Sequence, residues 1–237
     1  MGSDPAVISG ALAAAAIALL SCSSASEDDK PCGHASSCPS DMVLVELECG
    51  SYCIDATEVT RGAYDAFVAA APSTEGQPEG CAFNKSFAPS CPVGGAPSSD
   101  PSLPAVCVDF CDAAAYCKWA GKKLCTGMEQ PQQPGRWEEA CLAALGSESP
   151  TVCNTSGGKL HAAGSGDCAG DAPPLSSLHD MIGNAAEWVD DCFVEEGVRY
   201  CLTMGGGAQS VGARCVGGLY DELPYSDPLL GFRCCAD

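Results

Sequence analysis

The chain has 237 residues, of which 31 are acidic, 11 are basic and 19 are cysteine, so its formal net charge is −20. A charge of this size repels phosphate backbones and anionic lipid surfaces, which disfavours nucleic acid and a bare membrane surface as partners. Nineteen cysteines are more than a reducing compartment keeps as free thiols, and they indicate an oxidising compartment.

The N-terminal segment has the pattern of a signal peptide. An apolar run over residues 6–20 is too short for a bilayer span and fits a signal-peptide core, which predicts a signal peptide over residues 1–21. The run ends in L-L-S-C at Cys22 and so resembles a bacterial lipobox, in which the cysteine is acylated and becomes the mature N-terminus. We therefore expect lipidation of Cys22 and a location in the bacterial cell envelope, and the alternative is a plain secretory signal without lipid.

A polar tether is predicted over residues 22–40, followed by a single domain over residues 41–237. The domain opens with two short runs of β type, residues 42–47 and 52–54. Thr60 then has the character of an N-cap, because apolar residues at helical spacing follow it.

Two further helices are predicted before the pattern changes. Asp112 is expected to cap a helix that ends at Gly121, and residues 136–145 form a third helix closed by Gly146. From Ser147 onward Gly-rich turns and short apolar runs replace helical periodicity. The pattern predicts an α+β fold with few helices, short strands and much coil, stapled by disulfides.

The cysteine spacing favours disulfides over structural zinc. The sequence has no C-x-x-C pair, and its three histidines form no H-x3–5-H pair, which are the usual spacings of zinc ligands. Without Cys22, eighteen cysteines remain, an even number that permits nine bridges.

Several motifs in order resemble the formylglycine-generating enzyme family, also called the sulfatase-modifying factor domain. Residues 54–60 read I-D-A-T-E-V-T, residues 112–124 read D-A-A-A-Y-C-K-W-A-G-K-K-L, and residues 180–188 read D-M-I-G-N-A-A-E-W. Trp137-Glu138 and a terminal G-F-R-C ending at Cys234 complete the set. The resemblance spans nearly the whole predicted domain, and it implies a coil-rich fold of the C-type-lectin-like kind.

Catalytic members of this family use two cysteines after an R-G-G-S-F/W segment to bind copper(I), a soft metal suited to thiolates, and to oxidise a substrate cysteine with O2. Here residues 204–215 read M-G-G-G-A-Q-S-V-G-A-R-C. Counting forward from the glycines puts Ser210 and Cys215 on the two catalytic positions. Counting back from Cys234 makes Cys215 a structural cysteine and shortens the catalytic loop, and we favour this register because residue type and spacing agree. Either register lacks at least one ligand, so copper is not expected.

The resemblance also implies two disulfides, and sequence proximity suggests four more. The implied pairs are Cys117–Cys234 and Cys141–Cys215. The pairs suggested by proximity are Cys153–Cys168, Cys192–Cys201, Cys81–Cys91 and Cys111–Cys125. Cys234 and Cys235 are adjacent in the sequence and are not expected to bond each other.

A structural calcium site is a further implication of the resemblance. In family members the G-N-x-x-E-W turn binds Ca²⁺ through side-chain and carbonyl oxygens, the ligands that this hard cation prefers. Carried over by position, Asp180 and Glu187 supply side chains, and Gly183 and Ala185 supply carbonyls. The alternative is a metal-free turn in which Glu187 accepts hydrogen bonds from backbone amides.

Together these features predict a cell-envelope lipoprotein, either lipid-anchored or secreted, whose domain lacks the catalytic cysteine pair. It is expected to be a binding or scaffold module that contacts the membrane only through its lipid and binds a protein, peptide or glycan. The alternative function is a copper-dependent thiol oxidase that uses Cys215 and Ser210.

Overall fold

The computed structural model describes residues 35–47, 50–91, 97–130, 133–147 and 150–237. The predicted signal peptide, Cys22 and most of the tether lie outside these ranges. No helix in them has both the length and the apolar content that a bilayer span requires. The described helices are α1 (Arg61–Ala69), α2 (Phe110–Trp119) and α3 (Arg136–Leu145). The described strands are β1 (Met42–Leu47), β2 (Gly50–Asp55), β3 (Lys123–Leu124), β4 (Met128–Gln130), β5 (Gln133–Pro134), β6 (Ala186–Glu195), β7 (Val198–Met204), β8 (Leu219–Glu222), β9 (Leu230–Phe232) and β10 (Cys234–Ala236).

The two runs of β type predicted at the start of the domain form strands, and these strands pair in antiparallel orientation. β1 and β2 pair from Met42 opposite Asp55 to Leu47 opposite Gly50. The C-terminal strand β10 lies beside β2, and β3 pairs with its other side, which gives the order β1-β2-β10-β3. The last strand of the domain, β10, thus belongs to the same sheet as its first two strands.

The helix starts follow the predicted chemistry with one correction. Thr60 caps α1, and its hydroxyl accepts a hydrogen bond from the Ala63 N–H at 3.2 Å. In α2 the N-cap is Asp109, not Asp112, because Asp109 accepts the Asp112 N–H at 2.9 Å while Asp112 accepts the Asp109 N–H in return. This reciprocal pair is a capping box, in which each of two residues three positions apart accepts a hydrogen bond from the backbone N–H of the other. Burial raises the pKa of Asp112 to about 8, and the charge of Asp109 adds to the effect.

The second large sheet has the order β8-β7-β6-β9 and holds the longest strands described. The prediction of only short apolar runs after Ser147 missed the hairpin of β6 and β7, with ten and seven residues. The far half of β6 reads D-D-C-F-V-E, in which acidic and apolar residues are grouped, so it lacks the apolar alternation that marks a strand in sequence. β6 also pairs in parallel with β9, which places Glu187 opposite Gly231.

The two largest buried clusters of the interior lie on opposite faces of β10. Cys234 packs with Tyr64 and Cys117 in one cluster, whereas Cys235 packs with Cys125 and Trp137 in the other. Successive side chains of a strand point to opposite faces of its sheet. The two adjacent cysteines therefore bond to different partners and not to each other.

Eight disulfides join the sixteen cysteines of the described residues. Four of them are the expected pairs Cys117–Cys234, Cys141–Cys215, Cys153–Cys168 and Cys192–Cys201. The other four are Cys38–Cys53, Cys81–Cys111, Cys91–Cys107 and Cys125–Cys235.

The pairs Cys81–Cys91 and Cys111–Cys125, expected from sequence proximity, are wrong. Cys111 lies in the first turn of α2 and bonds to Cys81, which leaves Cys125 to reach Cys235 across the sheet. Proximity is a weak guide because the entropy of closing a loop grows only slowly with its length, so packing decides between candidates.

Candidate functional site

The residue that a thiol oxidase would need is held in a disulfide. Cys215 follows the glycine-rich segment after β7, is 1% exposed, and is bonded to Cys141 of α3. A thiolate is the form of cysteine that binds metal or attacks a substrate. The sulfur of Cys215 is therefore not available for either reaction in this structure.

Ser210, the other residue on the catalytic positions of the forward register, serves the local turn. Its hydroxyl accepts a hydrogen bond from the Gly207 N–H at 3.1 Å, and its own N–H donates to the Gly207 carbonyl at 2.9 Å. Gly206 has a φ of 65°, and a Cβ on it would meet Ser210 Cβ at 2.7 Å, so the turn requires glycine there. The structure thus gives Ser210 a structural role.

The glycine-rich segment after β7 lines a shallow concavity of about 320 Å³. It is lined by glycines and by exposed side chains, among them Val211, Arg214 and Leu219. All sixteen described cysteines are in disulfides, so the described part of this site holds no pair of thiols for copper(I).

Glu187, predicted to bind calcium, forms a buried ion pair with Arg233 instead. Glu187 Oε1 lies 2.7 Å from Arg233 Nη2, and Oε2 lies 2.8 Å from Arg233 Nε, with both side chains almost fully buried. Trp137 Nε1 donates a further hydrogen bond to Oε2 at 2.6 Å. Arg233 Nη1 and Nη2 also donate to the carbonyls of Asp55 at 3.1 Å and His179 at 2.9 Å, so each of the three guanidinium nitrogens donates at least one hydrogen bond.

The calcium ligand set does not fit this arrangement. A calcium ion on Glu187 would lie beside a buried guanidinium, and two cations would share one carboxylate. Asp180 in turn accepts the Gly164 N–H at 2.9 Å. The alternative prediction, in which Glu187 accepts hydrogen bonds from backbone amides, is also wrong, because its partners are the side chains of Arg233 and Trp137.

The turn around Gly183 is fixed by backbone conformation and by Asn184. Gly183 has a φ of 79°, and a Cβ on it would lie 2.5 Å from the carbonyl oxygen of Asn154. Asn184 donates to Glu58 Oε1 at 2.8 Å and accepts the His161 N–H at 2.8 Å. Asn184 therefore joins the start of the domain to the loop that precedes the turn.

Glu58 completes this buried polar cluster, which we define as Glu58, Asn184, Glu187 and Arg233. Glu58 is 1% exposed, and its Oε2 has no hydrogen-bond partner among the described residues. Burial raises the pKa of Glu58 well above the ordinary value, and the charge of Asp180 adds to the effect.

Three of these residues had no role predicted from the sequence, although the signal for them was present. Glu58 lies in the E-V-T motif, Asn184 in the G-N-x-x-E-W motif and Arg233 in the G-F-R-C motif. The motifs are up to 175 residues apart, from Glu58 to Arg233, and the fold brings them into one cluster. Their common occurrence thus has a structural reason, which is the mutual satisfaction of buried polar groups.

Two aromatic concavities lie away from this cluster. One of about 450 Å³ lies between α1 and α2 and is lined by Phe67, Phe87 and Trp119. The other, of about 460 Å³, lies beside β8. Both volumes are in the range of ligand pockets, roughly 300–1,000 Å³.

Comparison with known proteins agrees with the fold. The sequence model of one family, the sulfatase-modifying factor enzyme 1-like domain, matches residues 42–237. The solved structure of CarF is similar, with 17% identity, a TM-score of 0.53, and coverage of 82% of this chain and 92% of that chain. PvdO from Pseudomonas aeruginosa is similar too, with 20% identity, a TM-score of 0.53, and coverage of 80% of this chain and 81% of that chain.

Variable protein 1 of Treponema denticola shows 16% identity and a TM-score of 0.49, with coverage of 79% of this chain and 84% of that chain. No curated protein sequence matches the chain. At these identities the two structures with the higher TM-scores show a shared fold and no more.

Proposed function

Since the chain belongs to the family of sulfatase-modifying factor enzyme 1-like domains, we propose that it is a member that keeps the fold without the thiol chemistry. In this proposal it is a binding or scaffold module of the cell envelope. The disulfides of the described residues already indicate an oxidising, extracellular or envelope location.

One observation carries the proposal: the bond between Cys141 and Cys215. In the family, catalysis needs two thiolates near the position of this segment, as the motif resemblance implies. The segment here offers one cysteine, and that cysteine anchors the segment to α3. The aromatic concavities of about 450 and 460 Å³ support a binding role, because they offer apolar contact surface on a rigid, disulfide-bonded scaffold.

We expect the native protein to show no alkylatable thiol at Cys215 and no conversion of a C-x-P-x-R substrate peptide supplied with copper and O2. Mass spectrometry of the alkylated, folded protein checks the thiol, and mass spectrometry of the peptide checks the reaction. The matched variant is Cys141→Ser, which frees Cys215 as a single thiol and should still leave the peptide unconverted, since one thiolate binds copper(I) poorly.

The outcome against the proposal is specific. It is an alkylatable Cys215 in the native protein, together with peptide oxidation that Cys215→Ser abolishes and Cys141→Ser leaves intact. That pair of results would make the protein a copper-dependent thiol oxidase.

The lipid anchor is the second part of the proposal, and its residues lie outside the described ranges. The L-L-S-C sequence that ends at Cys22 supports acylation of that cysteine. Cells grown with a labelled fatty acid should label the protein, and Cys22→Ala should abolish the label. Cys38→Ala is a matched cysteine control that should keep it. A secreted wild-type protein without label would instead support a plain secretory signal.

A further inference from the structure

The hairpin of β6 and β7 and the edge strand β8 present a surface of aromatic side chains. Phe193 stacks on Tyr200 with ring centroids 5.5 Å apart and meets Tyr220 edge-on at 4.9 Å. Strand register explains the grouping, because Phe193 pairs with Tyr200 across the β6–β7 hairpin. Phe193 and Tyr220 are 42% and 38% exposed, so the rings form a preassembled and accessible apolar patch.

Beside these rings lies a concavity of about 460 Å³, which we call the tyrosine concavity. Its lining is formed by Tyr200, Tyr220, Asp221, Glu222, Pro224 and Tyr225. Tyr200 pairs with Glu222 across the β7–β8 ladder, so the Glu222 carboxylate shares the face of the tyrosine rings, whereas Asp221 pairs with Cys201 and its side chain projects from the other face.

The Glu222 carboxylate of the tyrosine concavity lacks a cationic partner within the described part of the chain. It takes part in none of the seven salt bridges of that part. Arg199 of the neighbouring strand β7 is engaged with Glu79. The negative charge of Glu222 is therefore left uncompensated by the described residues.

Two of the three tyrosine hydroxyls already donate their protons within the protein. Tyr220 O–H donates to Asp191 Oδ2 at 3.2 Å, and Tyr225 O–H donates to Asp227 Oδ2 at 3.4 Å. The surface thus offers a ligand mainly hydrogen-bond acceptors and ring faces. A complementary ligand group must be a donor, carry positive charge and stack on aromatic rings.

We propose that the tyrosine concavity receives the arginine side chain of a partner polypeptide. A guanidinium has five N–H donors and no acceptor, bonds carboxylates through its planar fork, and stacks on aromatic faces. A neutral sugar fits less well, because its hydroxyls need donors as well as acceptors. This inference rests on the proposed function as a binding module and names the chemistry that the module recognises.

The test uses the folded protein with ¹³C-labelled tyrosine rings and a short glycine peptide that contains one central arginine. Titration should shift the ring resonances of Tyr200, Tyr220 and Tyr225 and leave those of the buried Tyr64 unchanged. The matched peptide carries citrulline, which keeps the shape of arginine and lacks its charge, and should bind at least about tenfold more weakly. The affinity of the arginine peptide should fall as salt rises, because salt screens exposed charges.

Two variants locate the binding. Glu222→Gln, at an exposed position, should weaken the arginine peptide about tenfold, and Tyr225→Ala should weaken it about three- to fivefold. Asp171→Asn changes the net charge as much as Glu222→Gln but lies on a distant stretch of the sequence, and it should leave the affinity unchanged. The melting temperatures of the variants verify that each is folded.

Three outcomes would overturn the inference. They are equal binding of the arginine and citrulline peptides, equal binding by wild type and Glu222→Gln, and stronger binding of a neutral oligosaccharide to the same rings, which would assign the surface to sugars. The result is separable from the proposed function. If the arginine peptide does not bind and Cys215 is unreactive, only the assignment of arginine as the ligand is wrong. If Cys215 is reactive, the proposed function as a binding module is wrong.

Discussion

Replacing Arg233 with methionine should lower the free energy of unfolding by about 3–5 kcal/mol. The substitution leaves the carboxylate of Glu187 buried with only the hydrogen bond from Trp137, since Arg233 supplies its charge partner at 2.7 Å. It also removes the donors to the carbonyls of Asp55 and His179. Unfolding in guanidinium chloride, followed by tryptophan fluorescence, measures the change.

Arg199→Met is the matched control. Arg199 is paired with Glu79 at 3.5 Å on the surface, where an ion pair contributes about 1 kcal/mol or less. Adding Glu187→Gln to Arg233→Met should recover part of the lost stability, because it removes the uncompensated charge. Equal effects of the Arg233 and Arg199 substitutions would show that Glu187 does not depend on its buried partner.

The second large effect concerns the disulfide that holds the glycine-rich segment. Cys141→Ser and Cys215→Ser should destabilise the protein equally, and the double variant should be little worse than either, since all three remove one bridge. The bridge spans 74 residues, for which loop entropy gives a loss of about 4.5 kcal/mol.

The Cys192–Cys201 bridge is the natural comparison. It spans only nine residues within the β6–β7 hairpin, and the same relation gives about 2.6 kcal/mol. Thermal unfolding of the two series, each with its double variant, tests the order. A larger loss from Cys192→Ser than from Cys141→Ser would contradict the entropic account. Strongly unequal losses from Cys141→Ser and Cys215→Ser would mean that one of them has a role beyond the bridge.

Part of the structure could be predicted from local signals in the sequence. The residues 136–145 predicted as a helix are the bounds of α3, and Thr60 caps α1, because caps and apolar periodicity act within a few residues. The order of the motifs identified the family, which the match over residues 42–237 confirms. The same resemblance implied the pairs Cys117–Cys234 and Cys141–Cys215, which the structure contains.

The contacts of the polar residues in the site were harder to predict from the sequence, because their partners are distant along the chain. Glu187 has the oxygens that calcium requires, and nothing within its own motif shows that Arg233 occupies them from 46 residues away. The partner of Glu187 comes from the parallel pairing of β6 with β9, which brings the G-F-R-C motif beside the G-N-x-x-E-W motif.

The sequence by itself therefore determined the family, the use of cysteines in disulfides, and the helices and strands that depend on short-range signals. The tertiary structure decided which cysteines pair across the sheet and which cation neutralises Glu187. It also decided that the tyrosines of β7, β8 and the following turn lie beside the carboxylate of Glu222. The physical reason is that loop closure costs little more for a distant partner than for a near one. Packing and the satisfaction of buried groups then choose among partners that spacing alone leaves equivalent.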